Sequence, residues 1–244
     1  MVAARPETPS PAQSGTRTLA VGLAGFGAIG AAVAERLDHG ITGLELVAIA
    51  ARDGDKARGR MAAFRHPVPL LDFKALAEAA DVVVECAPAA VFKDIAEAAI
   101  EAGRILMPLS VGALLDRPEL IAKAEQYGAR IIVPTGALLG LDAVRAAAQG
   151  EIHSVKLVTR KPPAGLAGAP YLIKNGISLD NLTAPLKVFD GSAGDGAKGF
   201  PANVNVAAAL GLAGIGAERT RLEIWADPGI DRNIQHVEVE ADSA

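Results

Sequence analysis

An apolar run, Leu19-Ala20-Val21-Gly22-Leu23-Ala24, passes directly into Gly25-Phe26-Gly27-Ala28-Ile29-Gly30 and then into a helical pattern from Ala28 to Leu37. A strand that turns through G-x-G-x-x-G into a helix has few architectures open to it, and the turn suits a dinucleotide pyrophosphate. Gly25 permits the tight turn, Gly27 lets the backbone approach the phosphates, and Gly30 lets the helix pack closely on the strand. Free N–H groups at the helix N-terminus, where the macrodipole is positive, complete the anion site. The candidate cofactor contacts are therefore Gly25, Gly27, Ala28, Ile29 and Gly30. A second apolar run, Leu44 to Ala50, completes a βαβ unit of the expected length.

Short apolar runs continue to alternate with Ala-rich amphipathic segments. Asp81 to Cys86 reads as a buried parallel strand, Val91 to Ala102 as a helix, Ile105 to Met107 as a strand, Pro118 to Tyr127 as a helix and Arg130 to Val133 as a strand. This is the pattern of a doubly wound α/β domain with a parallel sheet. Near Pro134-Thr135-Gly136-Ala137 the character changes. A helix from about Gly140 to Ala148 precedes Val155 to Arg160, whose alternation suits a sheet with one solvated face; then come two long Gly- and Pro-rich loops, an Ala-rich helix from Val204 to Leu212, and alternating strands Thr220 to Trp225 and His236 to Glu240. The expected organisation is a disordered tail over 1–16, a dinucleotide-binding domain over 17–136, and an α+β substrate and dimerisation domain over 137–244.

With 244 residues, half of them hydrophobic, the chain can bury a substantial core. A net charge of -4 offers no bulk positive field for nucleic acid, and no segment reads as membrane-spanning. The Pro-, Ala-, Ser- and Thr-rich first sixteen residues lack the apolar centre of a signal peptide. The single Cys86 excludes an intramolecular disulfide and suits a reducing, cytoplasmic compartment. No metal site is expected.

Cofactor choice is read at the end of the second strand. An acid there holds the ribose hydroxyls of NAD, whereas an Arg accepts the 2′-phosphate of NADP. Here Ile49-Ala50-Ala51-Arg52-Asp53 places a small residue and a cation before the first acid. Arg52 therefore favours NADP over NAD, unless it and Asp53 are ordinary solvated loop residues.

Several separated segments together resemble the L-aspartate dehydrogenase family: Gly25 to Gly30, Val84-Glu85-Cys86-Ala87, Ser110 to Leu114, Gly136-Ala137, Thr159-Arg160-Lys161-Pro162-Pro163, Phe189 to Ala193, Phe200 to Ala207 and Ala226-Asp227-Pro228. The resemblance spans nearly the whole chain after the tail. It implies a two-domain homodimer that oxidises L-aspartate to iminoaspartate with NAD or NADP; the product either hydrolyses to oxaloacetate and ammonia or feeds NAD biosynthesis. It also implies cofactor contacts at Ala137 and Asn205, where an amide can both donate and accept; otherwise Asn203 caps a helix and Asn205 lies in its first turn. Arg160 and Lys161 are candidates to hold substrate carboxylates, with two solvated cations at a strand end as the plainer reading.

Two departures from the family matter. Where its members carry a catalytic His two residues after an Asn, this chain reads Asn233-Ile234-Gln235-His236, so Gln235 stands in the expected place and His236 comes one later. Imidazole exchanges protons near neutral pH and an amide does not. On a strand, His236 faces away from Gln235 unless a bulge turns it inward. The chain also stops at Ala244, where the family's closing sheet and helix are expected to follow. A non-catalytic dinucleotide-binding protein, or a dehydrogenase of another small amino or oxo dicarboxylate, therefore stands as an alternative.

Overall fold

The computed structural model describes residues 17–136, 138–201 and 204–242. The first half alternates β1 (Leu19–Ala24), α1 (Ala28–His39), β2 (Leu44–Ala50), α2 (Gly54–Met61), α3 (Phe73–Ala79), β3 (Val82–Glu85), α4 (Phe92–Glu101), β4 (Ile105–Pro108), α5 (Val111–Leu115), α6 (Glu119–Gln126) and β5 (Arg130–Ile131). Its five strands are parallel in the order β2-β1-β3-β4-β5. Strand order reverses between β1 and β3, which opens a crevice beyond their carboxyl ends.

Helices cover both faces, which is why these strands read as continuous apolar runs. Val21, Leu23, Val82 and Val84 pack with Ala34 and Leu37 of α1 and Met61 of α2. Ala24, Val83 and Leu106 pack on the other face with Leu76 of α3, Ile95 of α4 and Leu120 of α6. Asp53 and Asp72 start α2 and α3 by accepting the Lys56 and Ala75 N–H groups, at 3.0 and 2.8 Å. These two helices lie in a stretch where the sequence pattern marked none.

The second half contains α7 (Leu141–Ala147), β6 (Ile152–Lys161), α8 (Pro170–Lys174), β7 (Leu186–Ser192), α9 (Ala193–Gly199), α10 (Asn205–Ala213), β8 (Thr220–Ala226) and β9 (Ile234–Ala241). The sheet order is β7-β8-β6-β9, with β6 and β8 parallel and the outer pairs antiparallel. Its inner face carries Val155, Leu157, Leu222 and Ile224 against Val144 of α7, Leu172 of α8, Ala197 of α9 and Leu210 of α10. The two expected loops between β6 and α10 are corrected here: they contain α8, β7 and α9. A register shift between Lys187 and Phe189 breaks the period-two pattern of β7, and α9 reads Ala-Gly-Asp-Gly-Ala-Lys-Gly, a composition poor in helix formers. The expected strand Arg130 to Val133 is also shorter, ending at Ile131.

Candidate functional site

A cleft of about 840 Å³ opens beyond β1, β2 and β3, between Gly25, Gly27, Arg52, Lys56, Arg60 and Ala87. Its size suits a cofactor pocket. The motif glycines form it in different ways. Gly25 has φ +113°, and a Cβ there would lie 2.5 Å from the Cys86 carbonyl oxygen. At Gly30 a Cβ would collide with the Gly25 carbonyl, so α1 could not pack where it does. A Cβ on Gly27 would meet no protein atom within 4 Å, so its open side is the cleft. Gly27 is the N-cap of α1, and no side chain caps the helix. The first-turn N–H groups at Ala28, Ile29 and Gly30 are thus left for an outside acceptor, and the cradle fits a dinucleotide pyrophosphate.

Three cations line one end. Arg52 is exposed just past β2, while Lys56 and Arg60 project from α2. Arg60 Nη1 donates to the Phe26 carbonyl at 2.7 Å and so ties α2 to the glycine turn. Asp53, the first acid after β2, is engaged as the cap of α2. The electrostatics at this end favour a phosphate.

Glu85 stands at the end of β3, next to the cleft-lining Cys86 and Ala87, and the sequence assigns it no role of its own. Fully buried, it accepts from the Ala87 N–H, the Ser110 N–H and the Ser110 hydroxyl at 2.9, 2.9 and 3.0 Å. Burial raises its pKa, and these hydrogen bonds oppose the rise. The carboxylate thereby joins the loop after β3 to the loop after β4. A buried acid at the end of an otherwise all-Val strand was the available signal. Next to it, burial and then the Glu85 charge push the Cys86 thiol up to about 12, so it stays protonated, donating to the Gly25 carbonyl at 3.1 Å.

Asn205, the first residue of α10, accepts the Gly112 N–H of α5 through Oδ1 at 3.1 Å. It therefore joins the two halves of the molecule and keeps its Nδ2 donors for other partners. Ala137 and Asn203 lie outside the described residues.

The second sheet separates the remaining candidates by face. Lys161 and Thr159 are buried on the inner side of β6. Gln235 stands opposite Thr159 in the β6–β9 register, and both Thr159 Oγ1 and Gln235 Oε1 are buried without a hydrogen-bond partner among the described residues. His236 is exposed on the other face, paired in register with Val158; β9 is regular there and does not turn it inward. The expectation that His236 could replace the family's His is corrected on this geometry. Arg160 is likewise on the outer face, 3.3 Å from Asp227 and stacked 5.5 Å above the Trp225 ring. Arg160 and Lys161 therefore do not form one clamp. Of the two, only Lys161 faces inward.

Comparison with known proteins agrees with this layout. Residues 142–244 match the family model described as aspartate dehydrogenase, C-terminal, and residues 25–134 match that of the homoserine dehydrogenase NAD binding domain. L-aspartate dehydrogenase of Bradyrhizobium diazoefficiens is 52% identical over 95% of this chain and 82% of its own. L-aspartate dehydrogenase 3 of Bordetella bronchiseptica is 51% identical over 95% and 85%. The crystal structure of aspartate dehydrogenase from Thermotoga maritima superposes with a TM-score of 0.70 at 28% identity, covering 91% of this chain and 85% of that one.

Proposed function

This chain belongs to the L-aspartate dehydrogenase family, and from that premise we propose that it oxidises L-aspartate to iminoaspartate with NADP or NAD. The observation that carries the reading is a cleft built for a dinucleotide in the first half, which Asn205 ties through Gly112 to a second half whose sheet carries unpartnered buried polar groups. A nicotinamide nucleotide bound there supplies the hydride acceptor. The N–H groups from Gly27 to Gly30 hold its pyrophosphate, and Arg52, Lys56 and Arg60 hold a 2′-phosphate, which favours NADP. Glu85 orders the two loops beside the cofactor. Asn205 offers its amide N–H groups to the cofactor, while Ala137 is assigned a contact by family resemblance. On the inner sheet face, Lys161 and its polar neighbours receive the substrate.

Iminoaspartate released from the site hydrolyses to oxaloacetate and ammonia or enters NAD biosynthesis. The reading extends to a division between residues 17–136 and 137–244, a cytoplasmic setting and a homodimer. The outer face of the second sheet, opposite the face on which α7, α8, α9 and α10 pack among the described residues, supports the dimer.

The test gives purified protein oxaloacetate, ammonia and each reduced nucleotide in turn, following loss of the reduced nicotinamide absorbance. Turnover is expected, faster with NADPH than with NADH. Gln235, standing where the family resemblance places a catalytic His, favours a second reading as a dinucleotide-binding protein without catalysis. Tight NADPH binding with no turnover of any small amino or oxo dicarboxylate would establish that alternative.

A further inference from the structure

The inner face of the second sheet is apolar along its middle, and at the start of β8 the buried Thr220 hydroxyl is satisfied by the Gly216 carbonyl at 2.8 Å. Val155 and Leu157 on β6, Leu222, Ile224 and Ala226 on β8, and Val237 and Val239 on β9 all pack into the core. Beyond them lie Thr159, Lys161 and Gln235. Lys161 is 7% exposed and, among the described residues, has no carboxylate within ion-pair distance. It sits two residues past Thr159, hence about 7 Å further along the same face, and diagonal to Gln235 across the β6–β9 pair. Its inward neighbours Thr159, Ala226 and Gln235 do not titrate. Asp227, next along β8, directs its carboxylate to Arg160 and the Gly229 N–H. A buried lysine and two unpartnered polar side chains thus share one end of an otherwise apolar stretch of the sheet face, an arrangement that core packing alone does not require.

We propose that Lys161 takes the proton from the substrate ammonium, with Thr159 and Gln235 holding that nitrogen beside it. The inference rests on the aspartate-oxidising reading above. Burial disfavours the lysine ammonium and lowers its pKa, so the neutral amine is more accessible here than on the surface. In the step, one substrate N–H bond breaks and one Nζ–H bond forms. The lone pair left on the substrate nitrogen becomes the C=N bond as Cα gives its hydrogen and two electrons to the oxidised nicotinamide. The substrate loses two electrons, the nucleotide gains them, and Lys161 ends as an ammonium that returns its proton to water.

The first test uses the native chain without nucleotide, labelled with ¹³C at lysine Cε and titrated by NMR. One lysine is expected to hold its proton about tenfold or more less tightly than the others, and its signal is expected to vanish in Lys161→Arg. All lysines titrating together would overturn the inference even if no variant folds. The second test is kinetic. Lys161→Arg is expected to bind NADPH with unchanged Kd and to shift KM for oxaloacetate little, while kcat falls about 10²- to 10⁴-fold and its pH profile loses the lysine limb. A raised KM with intact kcat would instead make Lys161 a carboxylate anchor. Native protein that binds NADPH but turns over no substrate would overturn the functional reading and the lysine's role together; turnover retained in Lys161→Arg would overturn the lysine's role alone.

Discussion

Arg52 is the first charged side chain after β2 and stands exposed at the cleft, with Asp53 already engaged in capping α2. Arg52→Glu is expected to weaken NADPH binding about tenfold or more relative to NADH, since a charge-assisted hydrogen bond to phosphate is replaced by repulsion. Titration of each reduced nucleotide by fluorescence reads the ratio, and an unchanged ratio would remove Arg52 from cofactor selection. The neighbouring positions 235 and 236 separate just as cleanly. His236→Ala is expected to leave turnover essentially unchanged because the imidazole lies on the outer face. Gln235→His, which puts a titratable ring on the inner face, is expected to raise kcat without altering NADPH affinity. If His236→Ala abolished turnover, the face assignment would fail.

Elements that pack along a repeating pattern were legible in the chain; those shaped by close contact were not. β1 with its glycine turn, β3 and α4 follow directly from apolar periodicity. α9 does not, because two of its glycines serve packing: a Cβ on Gly196 would lie 2.5 Å from Leu222 Cδ2, and one on Gly194 would strike the Glu218 carboxylate. Only the folded neighbour reveals that need. β7 was hidden by its irregular register, yet it carries a bidentate surface pairing of the second sheet. Asp190 accepts two bonds from Arg221, both at 3.0 Å, and one from Lys187 at 2.8 Å. These cations lower the Asp190 pKa from its ordinary 3.8 to about 2. A carboxylate held lower in the folded state stabilises the fold above its unfolded pKa, and that contribution is lost as pH falls from about 4 towards 2. Asp190→Asn is therefore expected to flatten the fall of Tm across that acid window while lowering Tm slightly at neutral pH. Parallel curves for the two proteins would show that the pairing contributes nothing to stability.

Across the whole molecule, the glycine turn and the organisation into two halves could be read from the sequence, but the contact between the halves could not. Asn205 lies 93 residues from Gly112, and no local pattern announces their hydrogen bond. Nor does a pattern announce that Glu85 braces two separate loops beside the cleft. Glu85→Gln replaces one acceptor oxygen with a donor facing other donors, so a loss of about 1–3 kcal/mol is expected, seen as a lower Tm and weaker NADPH binding. Saturating NADPH is expected to raise the melting temperature of the native chain, by mass action on the folded state. Asn205→Ala should diminish that rise, because the Gly112 N–H loses its acceptor and the amide offered to the nucleotide is gone, while Val111 still packs on Ala208 and Ala209.

The chain has one tryptophan, Trp225, and it lies on the outer face of the second sheet beside Arg160. Its indole N–H donates to Glu223 at 3.1 Å, and its ring lies 5.5 and 5.7 Å from the Arg160 and Lys187 charges. Excited-state indole emission is sensitive to nearby charge and water, so all tryptophan light from this protein originates at a single, polar, outward-looking place. A dilution series followed at that emission becomes a direct optical assay of self-association through the sheet: a colour change on dilution marks separation of copies, and a constant spectrum marks a face that stays bare.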